Sequence, residues 1–124
     1  MRPARLGLAA LLVLTACASS VDQQRATTCR QAVPALAPPG TTPRILHIGA
    51  GPTPDALRVD YAVAGPSTLA ARQRWVLCGF GPGAELLSIT TEHGPMNGAA
   101  LYLLKQFYLD TPDAAAADPG ATAP

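Results

Sequence analysis

The hydrophobic patterning that a folded core requires is confined to about 90 residues, positions 22–112, between an apolar leader and a run rich in Ala, Pro, Asp and Gly. A domain of that size buries only about 60–65 % of the surface its unfolded chain exposes, so its core is marginal and asks for a staple. There is room for one small domain, which excludes a multidomain enzyme with a deep interdomain cleft. Formal charge is +1, and without Arg2 and Arg5 of the leader the seven remaining basic and eight acidic residues nearly cancel. That balance lacks the cationic excess that phosphate backbones or anionic headgroups select, so no nucleic-acid partner is expected.

Residues 1–16 have the form of a secretory signal peptide. Arg2 and Arg5 make a cationic start, and Leu6 to Leu14 make an apolar stretch that ends in small residues. The stretch is too short to cross a bilayer as a helix, which takes about 20 residues. Leu14-Thr15-Ala16-Cys17 resembles a bacterial lipobox, in which Cys17 is lipidated and becomes the mature N-terminus, with 17–21 as a spacer. Two or more acyl chains on one residue hold a protein stably at a membrane. The expected location is therefore the periplasmic face of a membrane in the cell envelope. Ala18 stands where an aspartate would resemble an inner-membrane retention signal, which leans the expectation towards the outer membrane. An ordinary cleaved signal with Cys17 there by chance is the bland alternative.

Lipidation of Cys17 leaves Cys29 and Cys78 as an even pair in an oxidising compartment, and a disulfide between them is the economical reading. Two free buried thiols are the alternative. A redox or metal pair has neither CxxC spacing nor a neighbouring Cys/His cluster to support it.

Asp22 can cap a helix running to about Ala32, with Ala26, Cys29, Ala32 and Val33 on one face and Pro34 and Pro38-Pro39-Gly40 ending it. Four strand-like runs follow: Arg44 to Ile48, Leu57 to Ala64, Gln73 to Phe80 and Glu85 to Thr91. Leu57, Val59, Tyr61 and Val63 alternate with polar or small residues, and Val76, Cys78 and Phe80 share one face. Short glycine- and proline-containing connections favour an antiparallel meander. Gly94-Pro95 breaks the last strand, and Asn97 can cap a second helix to about Tyr108, with Leu101, Leu104, Phe107 and Tyr108 as its apolar stripe and Lys105 towards solvent. The expectation is an α+β fold, α-β-β-β-β-α, in which a small four-stranded antiparallel meander carries an N-terminal and a C-terminal helix on one face. The domain ends at residue 112, and 113–124 reads as a disordered tail.

Chemistry-bearing residues are sparse. His47 and His93 have no partners at ligand spacing, so no metal is expected. Ser67, Ser88 and Thr90 lack a nucleophile motif or a recognisable base. Gly49 to Pro52 and Gly79 to Gly83 open into neither Lys-Ser/Thr nor a helix, and read as turns rather than phosphate loops. Arg72-Gln73-Arg74 beside Trp75 offers a cation-π surface or simply a wet strand face. Tyr102, Leu103 and Leu109 extend the apolar side of the last helix beyond what one sheet face needs. With Arg74, they are the candidate partner-binding residues. No catalytic residue and no cofactor is expected. A small enzyme using His93, Glu92 and Arg74 is the least favoured alternative.

Several segments together resemble a known domain: Cys29-Arg30 with Val33-Pro34-Ala35-Leu36, Leu57 to Tyr61, Arg74 to Phe80, and Thr91 to Pro95 leading into Leu101 to Phe107. They are similar to a small alphaproteobacterial envelope domain found as the N-terminal extension of branched-chain amino acid ABC transporter permeases and as free-standing lipoproteins. The resemblance spans about residues 22–112 and carries no catalytic residues. It implies a periplasmic accessory to amino acid import. Because no membrane-spanning helices follow residue 124 here, that accessory is expected as a separate, lipid-anchored subunit. The rival expectation is a general envelope lipoprotein with a structural or assembly role.

Overall fold

The computed structural model describes the backbone of residues 3–64 and 72–120, with side chains described from residue 20 onward. Helix α1 (Pro3–Leu36) leads into strands β1 (Thr42–Ala50), β2 (Ala56–Ala64), β3 (Arg72–Phe80), β4 (Leu86–Thr91) and β5 (Gly94–Pro95). Helix α2 (Gly98–Leu104), a π-helical turn over Lys105–Leu109 and helix α3 (Pro112–Ala116) follow. The strands form one antiparallel sheet in the order β1-β2-β3-β4-β5. Each strand pairs with its chain neighbour because the connections are too short for crossovers.

The α+β meander therefore holds, with five strands in place of the expected four. Gly94-Pro95 does not end the sheet but returns along β4, pairing Thr91 with Gly94 and Thr90 with Pro95. Gly94 has φ +106°, a conformation closed to most L-residues, and this lets the chain reverse across Glu92 and His93. The first helix is also longer at both ends than the expected 22–32. Pro34 lies inside it, within its last turn, where the missing N–H forfeits a single helical bond. Ala37 N–H then donates to the Val33 carbonyl at 3.0 Å, and Gly40, at φ +79°, turns the chain out. Among the described residues, no helix is long and apolar enough to cross a membrane.

The core sits between one sheet face and α1. Cys29, Ala32 and Val33 of α1 meet Val59 and Tyr61 of β2, Val76, Cys78 and Phe80 of β3, and Leu86 and Ile89 of β4. Register explains the match: Val59 pairs with Val76 and Leu57 with Cys78, so alternate residues of neighbouring strands share one face. Cys29 and Cys78 are joined by a disulfide with Cα atoms 6.0 Å apart, and both are fully buried. Arg25, one turn before Cys29, stacks its guanidinium 5.4 Å from the Phe80 ring and donates to the carbonyls of Gly81 and Gly83, which ties the β3–β4 turn to α1.

The second helical segment differs from an uninterrupted helix to Tyr108. Asn97 caps α2 as expected, its side chain accepting from Ala100 N–H at 2.8 Å. After Leu104 the π turn inserts one residue per turn, so the next position packed on the core is Leu109, and Phe107 points outward, 73 % exposed. Lys105, expected in solvent, is half-buried and donates to the Leu86 carbonyl at 2.9 Å. Replacing Asn97 by Ala removes the cap of this short helix and is expected to cost about 1 kcal/mol in denaturant unfolding, with the sheet signature retained.

Residues 113–120, expected as part of a disordered tail, are built into the fold. Ala114 is buried in α3, and the Asp118 carboxylate accepts from Arg30 Nε at 2.6 Å and Nη2 at 2.8 Å, from Gln31 at 3.4 Å and from Gly120 N–H at 2.9 Å. An alanine-rich segment with little apolar bulk is held here by one charged anchor rather than by a hydrophobic stripe. Residues 121–124 lie outside the described part.

Candidate functional site

Arg74, Glu92 and His93 meet at a cleft of about 340 Å³ between the end of α1 and the β4–β5 turn. Arg74 pairs with Tyr61 across β3 and β2, one step beyond the Val76–Val59 pair on the same sheet face. There α1 is ending, so Arg74 lies at the rim of the helix's cover rather than fully beneath it. Ala35 and Leu36 form one wall, and Thr91 to Met96 form the other. The turn is fixed by its backbone: His93 N–H donates to Thr91 Oγ1 at 3.1 Å, and Met96 N–H donates to the Ile89 carbonyl at 2.8 Å.

Glu92 stands between two basic side chains. Its Oε1 is 3.5 Å from Arg74 Nη1 and 3.7 Å from His93 Nε2. The Arg74 and Glu92 side chains are 18 % and 29 % exposed, whereas His93 is 77 % exposed. Arg74 Nε is buried and has no hydrogen-bond partner among the described residues. Beneath it, burial pushes the Tyr61 phenol above its ordinary pKa, Glu92 adds to the rise, and the neighbouring Arg74 opposes it. The arrangement is a guanidinium that faces the Glu92 carboxylate and is hydrogen-bonded to Tyr61 beneath it. The His93–Glu92 separation exceeds hydrogen-bond length, so Glu92 does not orient His93 as a base.

Sequence order could not place Glu92 and His93 beside Arg74, since eighteen positions separate Arg74 from Glu92. The expected wet face for Arg74 is corrected to the rim of the core side. Period-two alternation with Val76 and Cys78 carried that signal. Tyr61 was legible as part of an alternating strand face but not as a cleft wall. Trp75 does meet an arginine, but it is Arg58, 5.0 Å from the ring, rather than Arg72 or Arg74.

The other candidates separate. Tyr102 and Leu103 are 60 % and 55 % exposed and lie on the outside of α2, with Phe107 on the following turn. Leu109, expected to face a partner, instead packs on the core, because the π turn rotates it inward. Cys17 falls within the backbone of α1 while its side chain lies outside the described part, as does the whole of Ser67. The two glycine-rich stretches close hairpins, Gly51 N–H donating to Ala56 and Gly81 N–H to Glu85. Among the described residues, no three His, Cys, Asp or Glu side chains gather as a metal site would need. Comparison with known protein families, with curated proteins and with solved structures finds no match for the chain.

Proposed function

We propose that the chain is a lipid-anchored periplasmic domain that works by binding a partner rather than by catalysis, as an accessory to a branched-chain amino acid ABC transporter. The observation that carries the reading is the outward-facing apolar trio Tyr102, Leu103 and Phe107, which the core does not use. Large aromatic and aliphatic side chains side by side on a short helix are the kind of anchor on which interfaces concentrate their binding energy. A buried Cys29–Cys78 disulfide suits an oxidising compartment, and the Leu14-Thr15-Ala16-Cys17 segment supplies the tether. The resemblance of motifs within residues 22–112 to permease extensions is what points to this partner class.

The test is cross-linking in cells followed by affinity capture of the lipidated protein from solubilised membranes, with bound proteins identified by mass spectrometry. An amino acid permease or its binding protein should be captured, and Tyr102→Ser with Leu103→Ser should abolish the capture while changing stability by no more than about 0.5 kcal/mol, as expected of exposed positions. Capture of only outer-membrane or peptidoglycan-linked proteins would replace the transporter reading with that of a general envelope lipoprotein. Separately, Cys17→Ser is expected to move the protein from the membrane fraction to the soluble or uncleaved pool, with loss of radiolabelled palmitate. Retention of the label would exclude Cys17 as the acylated residue.

A further inference from the structure

We infer that the open edge of the sheet, along β1, is a docking site for an extended segment of a partner protein, one that alternates acidic and apolar residues and adds to the sheet as a further strand. The site uses neither the outer surface of α2 nor the cleft at Arg74, and it goes beyond the interaction reading.

The chain treats its two sheet edges differently. On the β4 side it closes the edge itself: Gly94-Pro95 pairs with Thr90 and Thr91, Met96 N–H donates to the Ile89 carbonyl, and Lys105 Nζ donates to the Leu86 carbonyl. β1 has no such cover. Gly51 N–H donates to the Ala56 carbonyl, so Ala56, Arg58, Asp60 and Ala62 turn their backbone groups towards β1, and their partners Gly49, His47 and Arg44 face them. Pro43, Ile48 and Ala50 therefore face outward, where no described residue meets their backbone. Pro43 has no N–H to lose on that side. Together with the bulge between Ile45 and His47 it confines pairing to the second half of β1, where Ile48 and Ala50 each present an N–H and a C=O. Unpaired strand groups of this kind are what an added strand satisfies.

The side chains say which strand fits. On the face turned away from α1, Arg44 and His47 are exposed and have no ion-pair partner among the described residues. The nearest carboxylate on that face, Asp60 opposite His47, is taken by Arg58 at 3.0 Å. Acidic residues on the added strand would stand beside Arg44 and His47 as cross-strand neighbours. On the helix side, Ile45 and Ile48 are only half-buried. A cavity of about 250 Å³ lies at the end of the strand, between Asp22 and Arg25 of α1 and Ala50, Pro54 and Leu57. An apolar side chain opposite Ala50 would enter it, and the pleat makes apolar and acidic positions alternate.

Fluorescence anisotropy of the full chain in detergent tests the edge, with a labelled Thr-Glu-Val-Glu-Val-Glu-Thr peptide, blocked at both ends, as probe. Saturable binding below about 1 mM is expected, with slowed amide exchange at Ile48 and Ala50. Lysine in place of every glutamate should weaken binding at least about tenfold. N-methylation of alternate peptide amides should weaken it about tenfold in one parity and little in the other, because only every second amide of a strand faces its neighbour. Arg44→Glu and Ala50→Pro should each weaken the probe about tenfold while the peptide-free melting curves stay close to wild type. The altered peptides act on the unaltered protein, so the inference is decided even if a variant fails to fold. Absence of saturable binding up to about 1 mM would overturn it, as would equal binding of the lysine peptide or indifference to the parity of N-methylation. A concentration-dependent dimer that Ala50→Pro abolishes would give the edge to a second copy and likewise overturn the inference. The probe involves no transporter, so its outcome is separate from that of the capture experiment.

Discussion

Replacing both Cys29 and Cys78 by Ala is expected to destabilise the protein by about 4 kcal/mol, the loop-closure entropy that the chain-entropy model assigns to a crosslink spanning 49 residues. For a domain of this size that corresponds to a fall of about 20 °C in the unfolding midpoint. It also removes a large share of the roughly 5–15 kcal/mol that small domains possess. Alanine is the informative replacement, because both positions are fully buried and a serine hydroxyl there would add a desolvation cost of its own. Thermal melts with and without reductant check the expectation. Wild type should drop to the level of the double variant when reduced, and the variant should not respond. If reduction leaves the wild-type midpoint unchanged, the crosslink is not what stabilises this core.

Asp118→Asn is expected to cost about 2–3 kcal/mol and to release residues 112–120 from α1. The carboxylate is 4 % exposed and meets the Arg30 guanidinium through two short hydrogen bonds, and removing one charge strands the other in a half-covered position. The same pair makes stability depend on pH. The hydrogen bonds from Arg30 hold the Asp118 carboxyl below its ordinary value of 3.8, against the opposing effect of burial. A depressed folded-state pKa contributes stability that is fully present above the unfolded value and is lost as the pH falls through the folded one. Wild type should therefore lose stability progressively below about pH 4, and Asp118→Asn should lose less over the same range. Denaturant midpoints taken across that range check both magnitude and sign, and limited proteolysis should cut the variant first near residue 113.

These two contacts illustrate what was readable in the sequence and what was not. The staple was readable because an odd cysteine count, a leader and two cysteines on apolar faces all constrain the same pair. The strands were readable from alternation: β2 and β3 lie within one residue of where Leu57 to Ala64 and Gln73 to Phe80 place them. Asp118 was not, because its partner Arg30 is 88 positions away and an alanine-rich segment carries no periodicity from which to infer docking. The π turn was equally silent. Lys105 to Leu109 reads as ordinary helix, and only the demand that Leu104 and Leu109 both reach the core shows that a residue has been inserted. The candidate site was legible in its residues, Arg74, Glu92 and His93, but not in their meeting, which depends on the antiparallel register and on the reversal at Gly94.

The covalent link from α1 into β3 also decides how the domain bears mechanical load. Tension applied from the N-terminal side can unwind α1 only as far as Cys29, since beyond that point the force passes through the sulfur atoms into Cys78. Cys78 lies on the third of five strands, so the pull enters the middle of the sheet, where neighbours are hydrogen-bonded on both sides, rather than an edge that could peel away. The stretch from Arg30 to Leu77, including the whole of β1 and β2, is bypassed and carries none of the tension. A domain hung from its N-terminus is in this way protected against stretching by the same bond that stabilises it at rest.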